Sequence, residues 1–188
     1  MLRGIARLIL KLGGWKTVGE IPTADKLIGI AAPHTSNWDG FWLLAYKFAN
    51  DIDVHFLAKH TLCWWPLGNF LGAVGAIPVN RSVSSSTVDQ VVQAFNANDR
   101  FWFALAPEGT RKYCDYWKSG FYQIAQAANV PVLLAFIDYP SRRMGLGPLL
   151  RPGRTADADL ATIREFYAPF TGRRPENQGP IAFAPSDS

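Results

Sequence analysis

Lys26-Leu-Ile-Gly-Ile-Ala-Ala-Pro-His-Thr-Ser-Asn-Trp-Asp39 passes from an apolar run of strand length into a helix start. Pro33 stops the run and keeps His34 out of the helix, because the proline ring biases its neighbours away from continued regular structure. Thr35, Ser36 and Asn37 are turn and N-cap residues, so a helix is expected from about residue 37 to 50. The stretch reads as strand, loop and helix.

Working outward, apolar runs of strand length recur at 54–58, 73–79, 101–106 and 130–137. Helical spacing recurs at 63–71, 84–98, 119–129 and 157–167, the second of these opened by a Ser-rich cap. Residues 140–153 are turn-rich and suit a hairpin. Strands alternating with helices predict an α/β fold with a mostly parallel central sheet flanked by helices. With 188 residues and no internal repeat, one domain spanning 1–188 is expected. Residues 1–14 form an amphipathic N-terminal helix in this reading, and the Gly/Pro-rich tail 171–188 is expected to be poorly ordered.

Composition narrows the partners. Charged residues are 18%, below the roughly 25% of ordinary soluble domains. Aromatics reach 13%, with seven Trp, which suits either a core or a lipid–water boundary. A net charge of +4 favours anionic headgroups, phosphorylated substrates or an acidic carrier protein. The basic residues are scattered and match no nucleic-acid-binding signature, so no nucleic acid is expected. Cys63 and Cys114 stand far apart without metal-ligand spacing, which implies neither a disulfide framework nor a metal site and fits a reducing compartment.

No signal peptide is apparent, because charge interrupts the first twelve residues every fourth position. Arg3, Arg7 and Lys11 make one basic stripe, with Leu2, Ile5, Ile9 and Leu12 mostly opposite. Such a helix can lie in a membrane interface or pack on its own domain. The charge-free stretch 61–79 is broken by Pro66, Gly68, Gly72, Gly75 and Pro78, which argues against a spanning helix.

His34 and Asp39 are candidates for acid–base chemistry. A histidine takes a proton near neutral pH, and a carboxylate can hold its tautomer and support its charge. Five helical steps of about 100° would place the two on different faces, so they meet only if the loop turns back. The competing reading makes Asp39 a helix cap, since Ser36-x-x-Asp39 resembles a capping box. Pro107-Glu-Gly-Thr-Arg111 follows another strand. In it Gly109 allows a tight turn, Thr110 offers a hydroxyl, and Arg111 offers a planar fork for phosphate. Glu108 could hold Arg111 or accept a substrate hydroxyl. Arg81, after the third strand, is a second phosphate candidate. These clusters would converge on one edge of the sheet, at strand carboxyl ends.

These blocks resemble the lysophospholipid and glycerol-phosphate acyltransferases (the 1-acylglycerol-3-phosphate acyltransferase family). His34-x4-Asp39, Ile77-Pro-Val-Asn-Arg81, Pro107-Glu-Gly-Thr-Arg111 and Val130-Pro-Val-Leu-Leu-Ala135 follow in that family's order, over residues 25–140. The resemblance implies a glycerol-phosphate acyltransferase-like fold and an O-acyltransferase that uses acyl-CoA or acyl carrier protein, with no cofactor and no metal. It implies His34 as general base and Asp39 as its support. Arg81, Glu108, Gly109, Thr110 and Arg111 are then the acceptor-binding residues. The default acceptor is 1-acyl-glycerol-3-phosphate, and the expected location is cytoplasmic, peripheral to the inner face of a membrane. The segment around Trp64, Trp65 and Phe70 could line the acyl path or fill the core. Another lipid alcohol as acceptor, thioester hydrolysis, and a non-catalytic lipid-binding module remain open alternatives. No G-x-S-x-G elbow is present, in keeping with direct transfer.

Overall fold

The strand Lys26–Ala32 (β2) lies near the middle of a seven-stranded sheet in a computed structural model that describes residues 2–59, 72, 75–79, 84–153 and 155–185. The other strands are β1 (Lys16–Val18), β3 (His55–Lys59), β4 (Ala76–Val79), β5 (Phe101–Leu105), β6 (Val132–Asp138) and β7 (Arg143–Leu150). Their order is β1-β7-β6-β2-β5-β3-β4. Every pairing is parallel except β6 with β7; the segment 140–153, expected to hold a hairpin of its own, instead gives a turn and the single strand β7, which folds back on β6.

The apolar run of β2 follows from its position. Ile28 pairs with Phe103 on one side and with Val132 on the other. Leu27, Ile28 and Ile30 are fully buried, because helices cover both faces of the sheet. One face gathers Ile28, Ile30, Phe103, Val132 and Leu134 against Phe95, Phe121, Ile163 and Tyr167. These come from α3 (Ser84–Ala97), α4 (Gly120–Ala127) and α5 (Ala156–Tyr167). Ile163 and Tyr167, one turn apart, put one side of α5 into this core. The other face packs Leu27, Leu133, Ile137 and Met144 against Ala6, Leu10, Ala45, Tyr46 and Ala49 of α1 (Leu2–Leu12) and α2 (Asn37–Ala49).

The N-terminal helix combines features of both readings. Ala6 and Leu10 are buried on the domain, and Arg7 Nε donates to the carbonyl of Ala49 at 3.1 Å. Leu2, Ile5, Leu8 and Leu12 point away from the core and are 52–78% exposed. No helix among the described residues is long and apolar enough to cross a membrane. Trp15, Trp102 and Trp117 are core residues, whereas Trp38 is half exposed.

Two further features depart from the sequence reading. β1 has only three residues, too short for any periodic signal, and it approaches β7 closely at a pair of glycines. A Cβ on Gly19 (φ +87°) would meet the Leu146 carbonyl, and one on Gly145 would meet that of Val18. The tail is the larger correction. Residues 171–185 are not a loose end: Trp117 N–H donates to Ala182 O at 2.7 Å, and Phe183 packs on Phe121 and Tyr122. The Gly/Pro content that suggested disorder supplies bends between a few apolar anchors. The expected helix at 63–71 and the residues Cys63, Trp64, Trp65, Phe70 and Arg81 lie outside the described residues.

Candidate active site

Three neighbouring parallel strands, β5, β2 and β6, bring their carboxyl ends together, and each opens into a loop with polar groups. The loop after β2 carries His34. Ser36, in extended conformation (φ −148°, ψ 155°), is the N-cap of α2, and its hydroxyl accepts from Trp38 N–H. Asp39 closes a capping box by accepting from Ser36 N–H at 2.8 Å, and the same Oδ2 accepts from Thr35 N–H at 2.8 Å. This oxygen also stands 3.4 Å from His34 Nδ1. The capping reading of Asp39 and its pairing with His34 are therefore true together: the cap curls the loop back and sets the histidine over the carboxylate.

Asp39 is completely buried and His34 is 20% exposed. Burial by itself pushes the Asp39 carboxyl up. The contact with His34, together with hydrogen bonds from Tyr139 and the Ser36 backbone, outweighs that, and the group lies below its ordinary range as an anion. The 3.4 Å contact is long for a well-formed hydrogen bond, and Nδ1 has no other polar partner among the described residues. It is a charge contact that can tighten when the ring takes a proton. With Nδ1 facing Asp39, the other ring nitrogen, Nε2, is the one able to act as base.

Glu108, from the loop after β5, does not hold Arg111. Its Oε1 accepts from the backbone N–H of His34 at 2.8 Å, and no ion pair joins it to Arg111. Oε2 is buried without a hydrogen-bond partner among the described residues. Burial raises the Glu108 carboxyl above its usual range, opposed by the His34 N–H. The two sequence blocks are thus joined by one bond that fixes the backbone at His34. Gly109 sits at φ +64°, which makes the tight turn. Thr110 Oγ1 accepts from Lys112 N–H at 3.2 Å, and Arg111 is exposed beyond it. Cys114 lies beneath this loop with its thiol raised by burial and by the charges of Glu108 and Asp115, the opposite of an activated nucleophile. Among the described residues no group of three or more His, Cys, Asp or Glu side chains could hold a metal ion.

Sequence reasoning missed Tyr139 and the tail. Tyr139, just after β6, donates its hydroxyl to Asp39 Oδ1 at 2.6 Å across 100 positions of sequence. Arg174 N–H donates to Thr35 Oγ1 at 3.1 Å, and the Arg173 guanidinium lies 5.4 Å from the Trp38 ring centroid. No spacing rule points from residue 139 or 173 to a loop at residue 35. Neither position belongs to a motif.

A family model for acyltransferases matches residues 19–137, which include the His34, Asp39 and Glu108 loops. The crystal structure of the 1-acyl-sn-glycerophosphate acyltransferase PlsC from Thermotoga maritima superposes with a TM-score of 0.61. The identity is 18%, over 88% of this chain and 74% of that one, so the likeness is one of fold. No curated protein matches the sequence.

Proposed function

We propose that this chain, which belongs to the acyltransferase family, moves a fatty acyl group from an acyl-CoA or acyl carrier protein thioester to the hydroxyl of a lysophospholipid. The observation that carries the reading is the His34 ring, partly exposed on one side and backed by the buried Asp39 carboxylate on the other. Nε2 takes the proton of the acceptor hydroxyl as its oxygen attacks the thioester carbonyl. The tetrahedral intermediate collapses, the C–S bond breaks, and the departing thiolate takes the proton from His34. No covalent acyl-enzyme is needed, which agrees with a Cys114 thiol raised rather than lowered.

Arg111 stands exposed on the Glu108 loop and suits a phosphate monoester on the acceptor, with Arg81 as its companion in this reading. Lysophosphatidic acid is therefore the default acceptor, and a protein of the same fold is named for that activity. The open apolar row of Leu2, Ile5, Leu8 and Leu12, flanked by Arg3, Arg7 and Lys11, supports a place at an anionic membrane surface.

The test is release of free thiol from acyl-CoA and from acyl carrier protein, with and without a panel of lysophospholipids, by the wild type and by His34→Ala. Thiol release that requires a lysolipid is expected, falling by roughly 10²–10⁴-fold or more in the variant. Release without an acceptor would replace this reading with thioester hydrolysis. Lysolipid binding with no thiol released from either donor would replace it with a binding module.

A further inference from the structure

The two oxygens of Asp39 have separate partners. Oδ2 takes the Thr35 and Ser36 N–H groups and faces His34, whereas Oδ1 has Tyr139 as its hydrogen-bond partner. Because Asp39 is 0% exposed, bulk water does not stand in for that hydroxyl. An ionised carboxylate can only accept, so the Tyr139 hydroxyl donates its proton to Asp39 Oδ1. The phenol is pushed up first by burial and then by its bond to Asp39, so it remains a donor at any working pH.

Tyr139 is itself held from several sides. Its ring meets Trp15 edge-on with centroids 5.1 Å apart, and its backbone N–H donates to Thr171 O at 3.0 Å. Thr171 N–H is bound to Asp138 Oδ1 at 2.8 Å, and Arg174 N–H reaches back to Thr35 Oγ1. The tail thus straps the end of β6 to the His34 loop. Both Tyr139 and Arg173 fall outside the residues matched by the family model.

We propose that Tyr139 is a positioning residue for acyl transfer, its hydroxyl holding Asp39 Oδ1 so that Oδ2 stays aimed at His34. The proposal rests on the acyltransferase reading. It differs from a packing role for the ring, which phenylalanine would fill equally well. It also differs from a substrate contact, which would act on KM.

The experiment compares wild type, His34→Ala, Tyr139→Phe and Tyr139→Met in the thiol-release assay, together with amide hydrogen exchange at Thr35 and Ser36. For Tyr139→Phe the expected result is a fall in kcat of about 10-fold or more, since small displacements of catalytic groups are costly, with both KM values unchanged within about two-fold. Exchange at Thr35 and Ser36 should quicken while that of Ile28 and Ile30 does not. Tyr139→Met, which also lacks the hydroxyl, should lower kcat in the same sense, and it serves if Tyr139→Phe does not fold. Unchanged kcat and exchange in the folded variants would overturn the proposal, as would a rise in KM alone. If the wild type releases no thiol in any pairing, the acyltransferase reading fails, and exchange at Thr35 and Ser36 still decides the positioning role.

Discussion

Asp39→Asn separates the charge of this side chain from its geometry. The oxygen that faces His34 is the one that accepts both the Thr35 and the Ser36 N–H at 2.8 Å. An asparagine turned the wrong way would point its NH2 group at both donors and forfeit both bonds. At about 1–1.5 kcal/mol each, that orientation is disfavoured by about 2–3 kcal/mol. The amide oxygen therefore occupies the Oδ2 position, and His34 keeps an acceptor at Nδ1 and the same tautomer. Only the charge is lost. Unit charges 3.4 Å apart interact by about 5 kcal/mol at an effective dielectric of about 20. If the ring carries about half its charge in the transition state, about 2.5 kcal/mol disappears, roughly 70-fold in rate.

The amide NH2 then faces the Tyr139 hydroxyl, whose proton loses its carboxylate, at a cost of about 1–2 kcal/mol in stability. For a chain of this size that lowers Tm by about 2–8 °C. The assay is kcat/KM from thiol release, run beside His34→Ala, with thermal melts by circular dichroism. A loss of kcat/KM near 70-fold, smaller than the loss in His34→Ala, is expected. A loss above about 10³-fold would mean the tautomer is not preserved and would refute the orientation argument. A loss below about three-fold would mean that the Asp39 charge does not support His34.

Glu108→Gln should change how stability depends on pH. The folded Glu108 carboxyl lies above its unfolded value of about 4.3, so its contribution is fully present below that pH and is lost as pH rises through the folded value. Melts of both proteins at pH 4 and pH 8 should show the wild type losing ground to the variant as pH rises, and a constant difference would contradict the upward displacement. On α1, Ile5→Asp with Leu8→Asp alters two exposed side chains and should leave Tm within about 2 °C. Burial of each in lipid would contribute about 1.5–3 kcal/mol, so co-sedimentation with anionic vesicles should fall at least about 100-fold. Undiminished sedimentation would remove the membrane role of this face.

Local pattern determined much of this protein without help from the rest of the chain. The apolar run before Pro33 and the Ser36-x-x-Asp39 cap were legible because strand burial and helix capping depend on neighbours a few positions away. The same holds for the glycine turn after Glu108, and the order of these blocks also carried the family. Tertiary structure decided who bonds to whom. Glu108 spends Oε1 on the His34 backbone rather than on Arg111, 74 positions from its partner, because parallel pairing of β2 and β5 sets the two loops side by side. Tyr139 reaches Asp39 because β6 lies against β2 on the other side. Residues 171–185 are held against the domain because Phe183 finds Phe121 and Tyr122, a contact that composition alone does not contain. Periodicity reports which face of an element is buried, but a buried carboxylate takes whichever donor the completed sheet brings within reach, and that choice exists only after the strands have paired.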